Sequence, residues 1–213
     1  AVLPRHPESV PINALVPVTA GSIEVEGIDV TDPRLDKFWA KAQDLDTLIF
    51  IHPNGFTSAE RFKDHYFNNV IGNPLETTIA VHRLIFDGVM ERFPELRILL
   101  AHGGGYLPAY AGRIDHVWGA REDGRVNIDS EPTSYLKKMW LDTVVFTPHQ
   151  LKYLIEQYGT DKIVMGTDYP YDMAETDPVG HVDSVKGLSD GDKALVMGAN
   201  AAALLGLEVP SAN

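Results

Sequence analysis

Three polar side chains stand where apolar runs end. Residues 47–51 (TLIFI) lead directly into His52 in IHPNG, residues 97–101 (RILLA) lead directly into His102 in AHGGG, and residues 162–166 (KIVMG) reach Asp168 in GTDYP after one threonine. Two neutral imidazoles and a carboxylate suit a divalent cation such as Zn²⁺, with a position left open for a water whose pKa the metal lowers toward about 7. That set belongs to a catalytic site, because a closed structural site gathers its ligands within a short segment. Taken singly, each residue has an ordinary reading, a loop histidine or an aspartate capping the next turn. Their conjunction at three strand ends carries the inference.

The spacings are long, 50 residues from His52 to His102 and 66 from His102 to Asp168. Parallel topology closes them, since the C-terminal ends of strands in a parallel barrel or doubly wound sheet share one face. Gly103, Gly104 and Gly105 after His102 give the backbone room for a substrate to approach and permit dihedrals that a side chain forbids. Arg113, with His116 one turn on, is a basic group suited to a substrate carboxylate, because guanidinium binds carboxylate bidentately; a helix-surface salt bridge is the equal alternative. His65, His82, His149 and His181 occupy helices, helix ends or loops and receive no role, and Trp39, Trp118 and Trp140 read as core or boundary fillers.

The elements that must position these residues alternate between strands and helices from about residue 22, the pattern of a parallel sheet covered on both faces. Strands are expected at Ser22–Glu26, Thr47–Ile51, Arg97–Ala101, Met139–Thr143 and Lys162–Gly166. Asn73, Pro74 and Glu76 read as cap, first-turn proline and acid ahead of a helix over Thr77–Phe93 whose Val81, Leu84, Ile85, Gly88 and Val89 trace one face. Further helices are expected from Asp32 and Pro33 through Ala42, over Leu107–Ala120, over Pro148–Tyr158 ending at Gly159, and over Ser189–Leu205. Asn13–Thr19 reads as one more buried strand, but only Ala20 and Gly21 separate it from the next, too few for a parallel crossover. Six strands fall short of the eight of a closed barrel of about 250 residues, so the chain reads as the latter two thirds of one.

Composition narrows the function classes. The 213 residues are 44% hydrophobic and 23% charged, with no cysteine, so a disulfide framework, a thiolate metal site and a cysteine nucleophile are excluded. With 18 Lys+Arg against 30 Asp+Glu, the net charge of -12 disfavours nucleic acid or an anionic membrane as partner. No run approaches the roughly 18 apolar residues of a membrane span, and AVLPRHPESV lacks a secretory pattern, so a cytoplasmic protein is expected. Without a repeat or a dividing linker, residues 1–213 are read as one domain.

The segments IHPNG, NPLETTIAVHRLIFDGV, ERFPELRILLAHGGGYLP, GRIDH, GTDYP and GANAAALLGL resemble the amidohydrolase-related (amidohydrolase 2) family of metal-dependent decarboxylases and hydrolases, most closely its aminocarboxymuconate-semialdehyde decarboxylase branch. The resemblance runs from about Ile23 to Leu207, and its motifs are specific in combination rather than singly. It implies an α/β fold, the TIM (β/α)8 barrel of the metal-dependent hydrolase type, with one divalent metal: Zn²⁺ first, Mn²⁺ or Co²⁺ as alternatives. The family holds that ion with an HxH or ExH pair on the first strand, a histidine after the fifth and an aspartate after the eighth. By position His52 matches the fifth-strand ligand and Asp168 the eighth-strand ligand, while His102 matches the acid/base histidine after the sixth strand. Arg113 falls where that branch places an arginine that reaches into the neighbouring subunit and grips the substrate carboxylate, which implies a homodimer. No HxH or ExH pair with a barrel-start context occurs, the family's early arginine has no counterpart, and His6 in PRHPE has the wrong neighbours. An incomplete barrel lacking its first strands, a fragment of a longer enzyme, is therefore expected in preference to a partner-assisted fold or a degenerate copy. The expected reaction is nonoxidative decarboxylation of a small unsaturated or aromatic carboxylic acid, with Asp168 also serving as a proton relay. Hydrolysis of an amide, ester or lactone is the enzymatic alternative, and a noncatalytic truncated barrel the other.

Overall fold

The computed structural model describes residues 24–25, 28–54 and 59–208. Two short strands, β1 (Glu24–Val25) and β2 (Ile28–Asp29), pair antiparallel with each other. The expectation of a barrel strand over Ser22–Glu26 is corrected by that pairing: its described residues take the next segment as partner and stand apart from the parallel sheet. Asn13–Thr19 lies outside the described residues. After a 3-10 turn at Pro33–Leu35, opened by Asp32 accepting from the Arg34 amide, comes helix α1 (Asp36–Asp44).

The sheet that positions the site contains β3 (Leu48–Ile51), β4 (Arg97–Leu100), β5 (Trp140–Asp142) and β6 (Ile163–Val164), all parallel and ordered as in the chain. Register is fixed by the pairs Leu48↔Arg97, Leu100↔Leu141 and Asp142↔Val164. Sequential parallel neighbours joined by helical crossovers make an arc of a (β/α)8 barrel. Burial alternates along β3 and β4: Ile49, Ile51, Ile98 and Leu100 are buried, and Leu48, Phe50, Arg97 and Leu99 are half-buried. The buried set shares one apolar cluster with Val81, Leu84, Ile85, Leu151 and Leu154. Each such side chain, fully buried, contributes about 1.5–3 kcal/mol relative to exposure. Phe50 and Leu99 instead face a cavity on the inner side of the arc.

The crossover after β3 differs from its sequence pattern. A π-helical turn at Asn68–Gly72 runs directly into α2 (Asn73–Phe86), so Asn73 is already helical (φ -60, ψ -51) and does not cap. The expected helix over Thr77–Phe93 breaks at Gly88 (φ +76) before the short α3 (Val89–Arg92). A Cβ at Gly88 would lie 2.6 Å from the Asn127 carbonyl, so only glycine allows that segment to approach. Apolar periodicity continues through Val89 and Met90, and it carries no trace of a left-handed residue. Helix α4 (Leu107–Ala120) follows β4, α5 (Pro132–Leu136) precedes β5, and α6 (Pro148–Tyr158) follows β5 with Thr147 capping the Gln150 amide. The chain continues through α7 (Pro178–Asp183), α8 (Asp190–Ala194) with a Ser189–Asp192 capping box, a π-helical turn at Leu195–Ala199 and α9 (Asn200–Leu204). No helix among the described residues is long and apolar enough to cross a membrane.

Helix α9 is tied to the sheet edge by a buried amide: Asn200 Nδ2 donates to the Thr160 carbonyl at 2.8 Å and the Ile163 carbonyl at 2.7 Å. Replacing it strands both acceptors. Asn200→Ala is expected to lower the unfolding free energy by about 2 kcal/mol, read as a shift of the urea midpoint.

Candidate metal centre

The strand ends deliver their polar residues to one place. His52 follows β3 immediately, His102 lies two residues past β4, and Asp168 lies four past β6. His52 Nε2 is 3.0 Å from Asp168 Oδ1, and His102 Nε2 is 3.6 Å from Asp168 Oδ2. The two imidazole centroids are 5.0 Å apart, and one potential ligand atom from each of the three residues lies within 4.8 Å of the others. Tyr171 stacks on the His52 ring at 6.0 Å, and Phe50 meets it edge-on at 5.8 Å.

Two of these residues are held in a backbone conformation that side chains resist. His102 has φ +55 and Asp168 φ +61, both left-handed. The cost is on the order of 1 kcal/mol each, moderated because aspartate and histidine tolerate this region better than most. Such strain persists only where the surroundings over-determine it. At His102 they do. Gly104 donates to the Ala101 carbonyl and Gly105 to the His102 carbonyl, both at 3.0 Å, while the Tyr106 amide donates to Thr78 Oγ1 on α2 at 2.9 Å. The glycines serve the protein's own packing: a Cβ at Gly103 would lie 2.5 Å from Val145 Cγ1, and one at Gly105 would lie 2.4 Å from the Pro74 carbonyl. Dihedral freedom is used as the sequence suggests; the place of each Cβ is filled by protein atoms, while Gly103 and Gly105 also line a hollow beside His102.

Burial shapes the electrostatics. The side chains of His52, His102 and Asp168 are 19%, 13% and 8% exposed. Burial lowers the His102 pKa below the usual imidazole value, with His52 adding to the shift and the Asp142 and Asp168 carboxylates opposing it. Among the described residues its buried Nδ1 meets no hydrogen-bond partner. With a neutral ring, either tautomer is costly: a proton on Nδ1 is buried unpaired and turns the Nε2 lone pair toward a carboxylate, whereas a proton on Nε2 leaves the Nδ1 lone pair buried. A cation held by Asp168 would offset the carboxylate charge that the Nε2 lone pair faces. The spacing fits as well, since ligands roughly 2.0–2.2 Å from a tetrahedral ion stand roughly 3.4 Å from one another. The observed 3.0 and 3.6 Å bracket that value. The cluster therefore suits a divalent ion in chemistry and, for these two pairs, in spacing.

Two hollows adjoin the cluster. One, of about 540 Å³, runs along the inner strand face past Phe50, Leu99 and Val164 to His52, Asp142 and Asp168. The other, of about 380 Å³, opens from His102 and Asp168 between Asn69, Asn73, Tyr106, Phe146, Gln150 and Met173. Arg113 is not brought to the cluster: it is exposed on α4, beside a separate hollow with His82, Phe86, His116 and Arg121. Sequence reasoning missed Asp142, a buried carboxylate ending β5 whose Oδ1 accepts from the Gly103 amide at 2.8 Å and the Val144 amide at 3.0 Å. The strand-end rule that finds the other three would have found it, had β5 been ended there.

A model of the amidohydrolase family matches residues 22–207. The 2-amino-3-carboxymuconate-6-semialdehyde decarboxylase of Dictyostelium discoideum is 35% identical over 185 residues, 86% of this chain and 52% of that protein. The crystal structure of 5-carboxyvanillate decarboxylase from Sphingomonas paucimobilis superposes with a TM-score of 0.78 at 25% identity, covering 90% of this chain and 58% of that one. A dihydroxybenzoic acid decarboxylase from Polaromonas, solved with bound manganese and 2-nitroresorcinol, shares the fold with a TM-score of 0.74 at 24% identity, covering 84% of this chain and 55% of that one. The chain spans about half the length of the curated relatives it matches.

Two outcomes follow from this geometry. His52→Ala and Asp168→Asn are each expected to weaken Mn²⁺ binding at least about 100-fold in calorimetric titration, because each removes one of few ligands. For the metal-free protein, the unfolded chain takes up a proton at His102 below about pH 6.5 while the folded ring resists it, so stability falls as pH drops through that value. His102→Gln is expected to flatten this loss between about pH 7.5 and about pH 5.5, read from urea midpoints.

Proposed function

The chain belongs to the amidohydrolase family, and from that premise we propose that its site performs metal-dependent nonoxidative decarboxylation of a small unsaturated or aromatic carboxylic acid. The observation that carries this reading is the meeting of His52, His102 and Asp168, from three separate strand ends, beside a hollow of about 380 Å³ with room for a small acid. The hollow mixes the apolar surfaces of Phe146 and Met173 with the neutral amides of Asn69, Asn73 and Gln150, a lining that suits a planar acid carrying hydrogen-bonding substituents. Decarboxylases among the similar proteins support the same choice.

His52 and Asp168 would hold the ion, Zn²⁺ by preference, with Mn²⁺ or Co²⁺ suited to the same donors. Bound there, a divalent ion supplies Lewis acidity to a substrate oxygen. Loss of CO₂ breaks the bond between the carboxyl carbon and its neighbour and leaves the electron pair on that neighbour. One proton must reach this carbon for each CO₂ released, and an adjoining double bond or ring spreads the charge of the transfer. His102 is the group placed to deliver it. An imidazole with a lowered pKa releases its proton readily once charged, and Asp168, 3.6 Å away, steadies the charged form and relays the proton. Arg113 lies away from its own cluster and exposed, so its proposed role is to grip the substrate carboxylate in the neighbouring subunit of a homodimer.

Hydrolysis of an amide, ester or lactone would use the same groups, and product analysis separates the two. The metal-loaded chain is expected to release CO₂ from a panel of hydroxybenzoic and unsaturated amino acids, and His102→Ala to lower turnover at least about 100-fold while retaining the ion. A new carboxylate formed from an ester or lactone with no CO₂ from any acid would replace decarboxylation by hydrolysis. A folded, loaded chain inert toward both substrate sets would leave a noncatalytic barrel.

A further inference from the structure

Asp142 is buried, belongs to neither the ligand set nor the proton path, and lies between them. Strand β5 is flanked by β4, which leads to His102, and by β6, which leads to Asp168. Leu141 pairs with Leu100 and Asp142 with Val164, so the Asp142 side chain emerges level with the two loops. On one side its Oδ1 accepts from the Gly103 amide at 2.8 Å. The same oxygen accepts from the Val144 amide at 3.0 Å and so bends the chain after β5. On the other side a Cβ at Gly166 would come within 3.1 Å of the Asp142 Cβ and 3.2 Å of its Oδ2, so the loop toward Asp168 has glycine where it passes this carboxylate.

The turn beginning at His102 needs an anchor of this kind. His102, Gly103, Gly104 and Gly105 have positive φ in succession, a run that the glycines permit and the His102 side chain resists. Gly104 and Gly105 bond within the turn, but Gly103 is buried and its amide points to Asp142. A buried backbone donor without an acceptor is rarely tolerated. We propose that Asp142 is the positioning residue of the metal centre, its Oδ1 fastening the left-handed turn to the end of β5 and thereby holding His102 against Asp168. Burial raises the carboxyl's own pKa, against the pull of the Gly103 amide and of His102, yet the fastening needs only an oxygen acceptor at Oδ1. An amide in the same place supplies one. The inference rests on the decarboxylase reading only for the use made of His102; the positioning itself is read without substrate.

The test uses the whole chain, metal-free, with the His102 ring Cε1–H signal assigned by NMR, followed by titration with Mn²⁺. Asp142→Asn is expected to leave the His102 signal in place and Mn²⁺ affinity within about threefold. Asp142→Ala is expected to displace the signal and, because His102 then no longer braces the ligand Asp168, to weaken Mn²⁺ about tenfold or more, the range found when groups supporting metal ligands are removed. In the unsubstituted chain the Gly103 amide is expected to exchange with deuterium as slowly as amides of β4. A folded Asp142→Ala with the signal and affinity unchanged overturns the proposal, as does an Asp142→Asn displaced as far as Asp142→Ala. Should Asp142→Ala not fold, the Asn variant and Gly103 exchange decide: a displaced ring signal or a fast amide overturns it. CO₂ release is measured separately, so failure of the decarboxylase reading leaves the ring signal, the affinity and the exchange rate standing.

Discussion

One carboxylate facing two imidazoles is the constraint from which the site is built. Asp168 presents one oxygen to His52 at 3.0 Å and the other to His102 at 3.6 Å. With its side chain only 8% exposed, it has exchanged most of its hydration for those rings. Burying a charged carboxylate is unfavourable by several kcal/mol unless partners replace the lost water. Parallel topology is what makes such partners available. Three crossovers return the chain to the same face, so residues separated by 116 positions, His52 and Asp168, become hydrogen-bonding neighbours. The left-handed backbone at His102 and Asp168 is the strain accepted for that convergence.

The sheet explains why the site lies beside hollows instead of within a filled core. Along β3 and β4 one set of side chains enters the apolar cluster and the other set faces inward across the arc. In a closed barrel, side chains of opposite strands interleave in layers. Among the described residues Phe50 and Leu99 meet no such layer, and they line the larger hollow below His52 and Asp168. The apolar runs led to an expectation of strands covered on both faces. Composition reports what a strand is prepared to bury, and it does not report whether a partner stands opposite.

The same distinction separates what was legible in the sequence from what was not. His52, His102 and Asp168 were legible because a polar residue ending an apolar run is a one-dimensional signal. Asp142 obeys the same rule, but in MWLDTVVF the apolar run resumes after Thr143, so its carboxyl read as strand interior. Helix α6 begins and ends where Pro148 and Gly159 indicate, and α4 spans the expected Leu107–Ala120. The break at Gly88 was invisible because it depends on Asn127, 39 residues away, whose carbonyl occupies the place of a Cβ. In residues 22–26 (SIEVE) the strand character was visible and its partner was not. Only two residues connect Val25 to Ile28, a hairpin-length link, and pairing direction follows from the link more than from the strand.

Electrostatics binds the metal and the substrate into one requirement. The protein carries a net charge of -12, and the cluster itself consists of Asp168 and two imidazoles, one of them held toward neutrality by burial. Among the described residues neither hollow is lined by lysine or arginine. An anionic acid in the smaller hollow would meet Asp168 with no lysine or arginine beside it among the described residues, an arrangement repulsive at short range. A divalent cation becomes the largest local charge and reverses the sign of the field that the substrate meets. For the proposed acid substrate, affinity would then be conditional on metal loading, and a basic group from outside the described lining would add to a field whose sign the metal sets. An ion held by His52 and Asp168 would thus be the condition for that acid to bind beside His102.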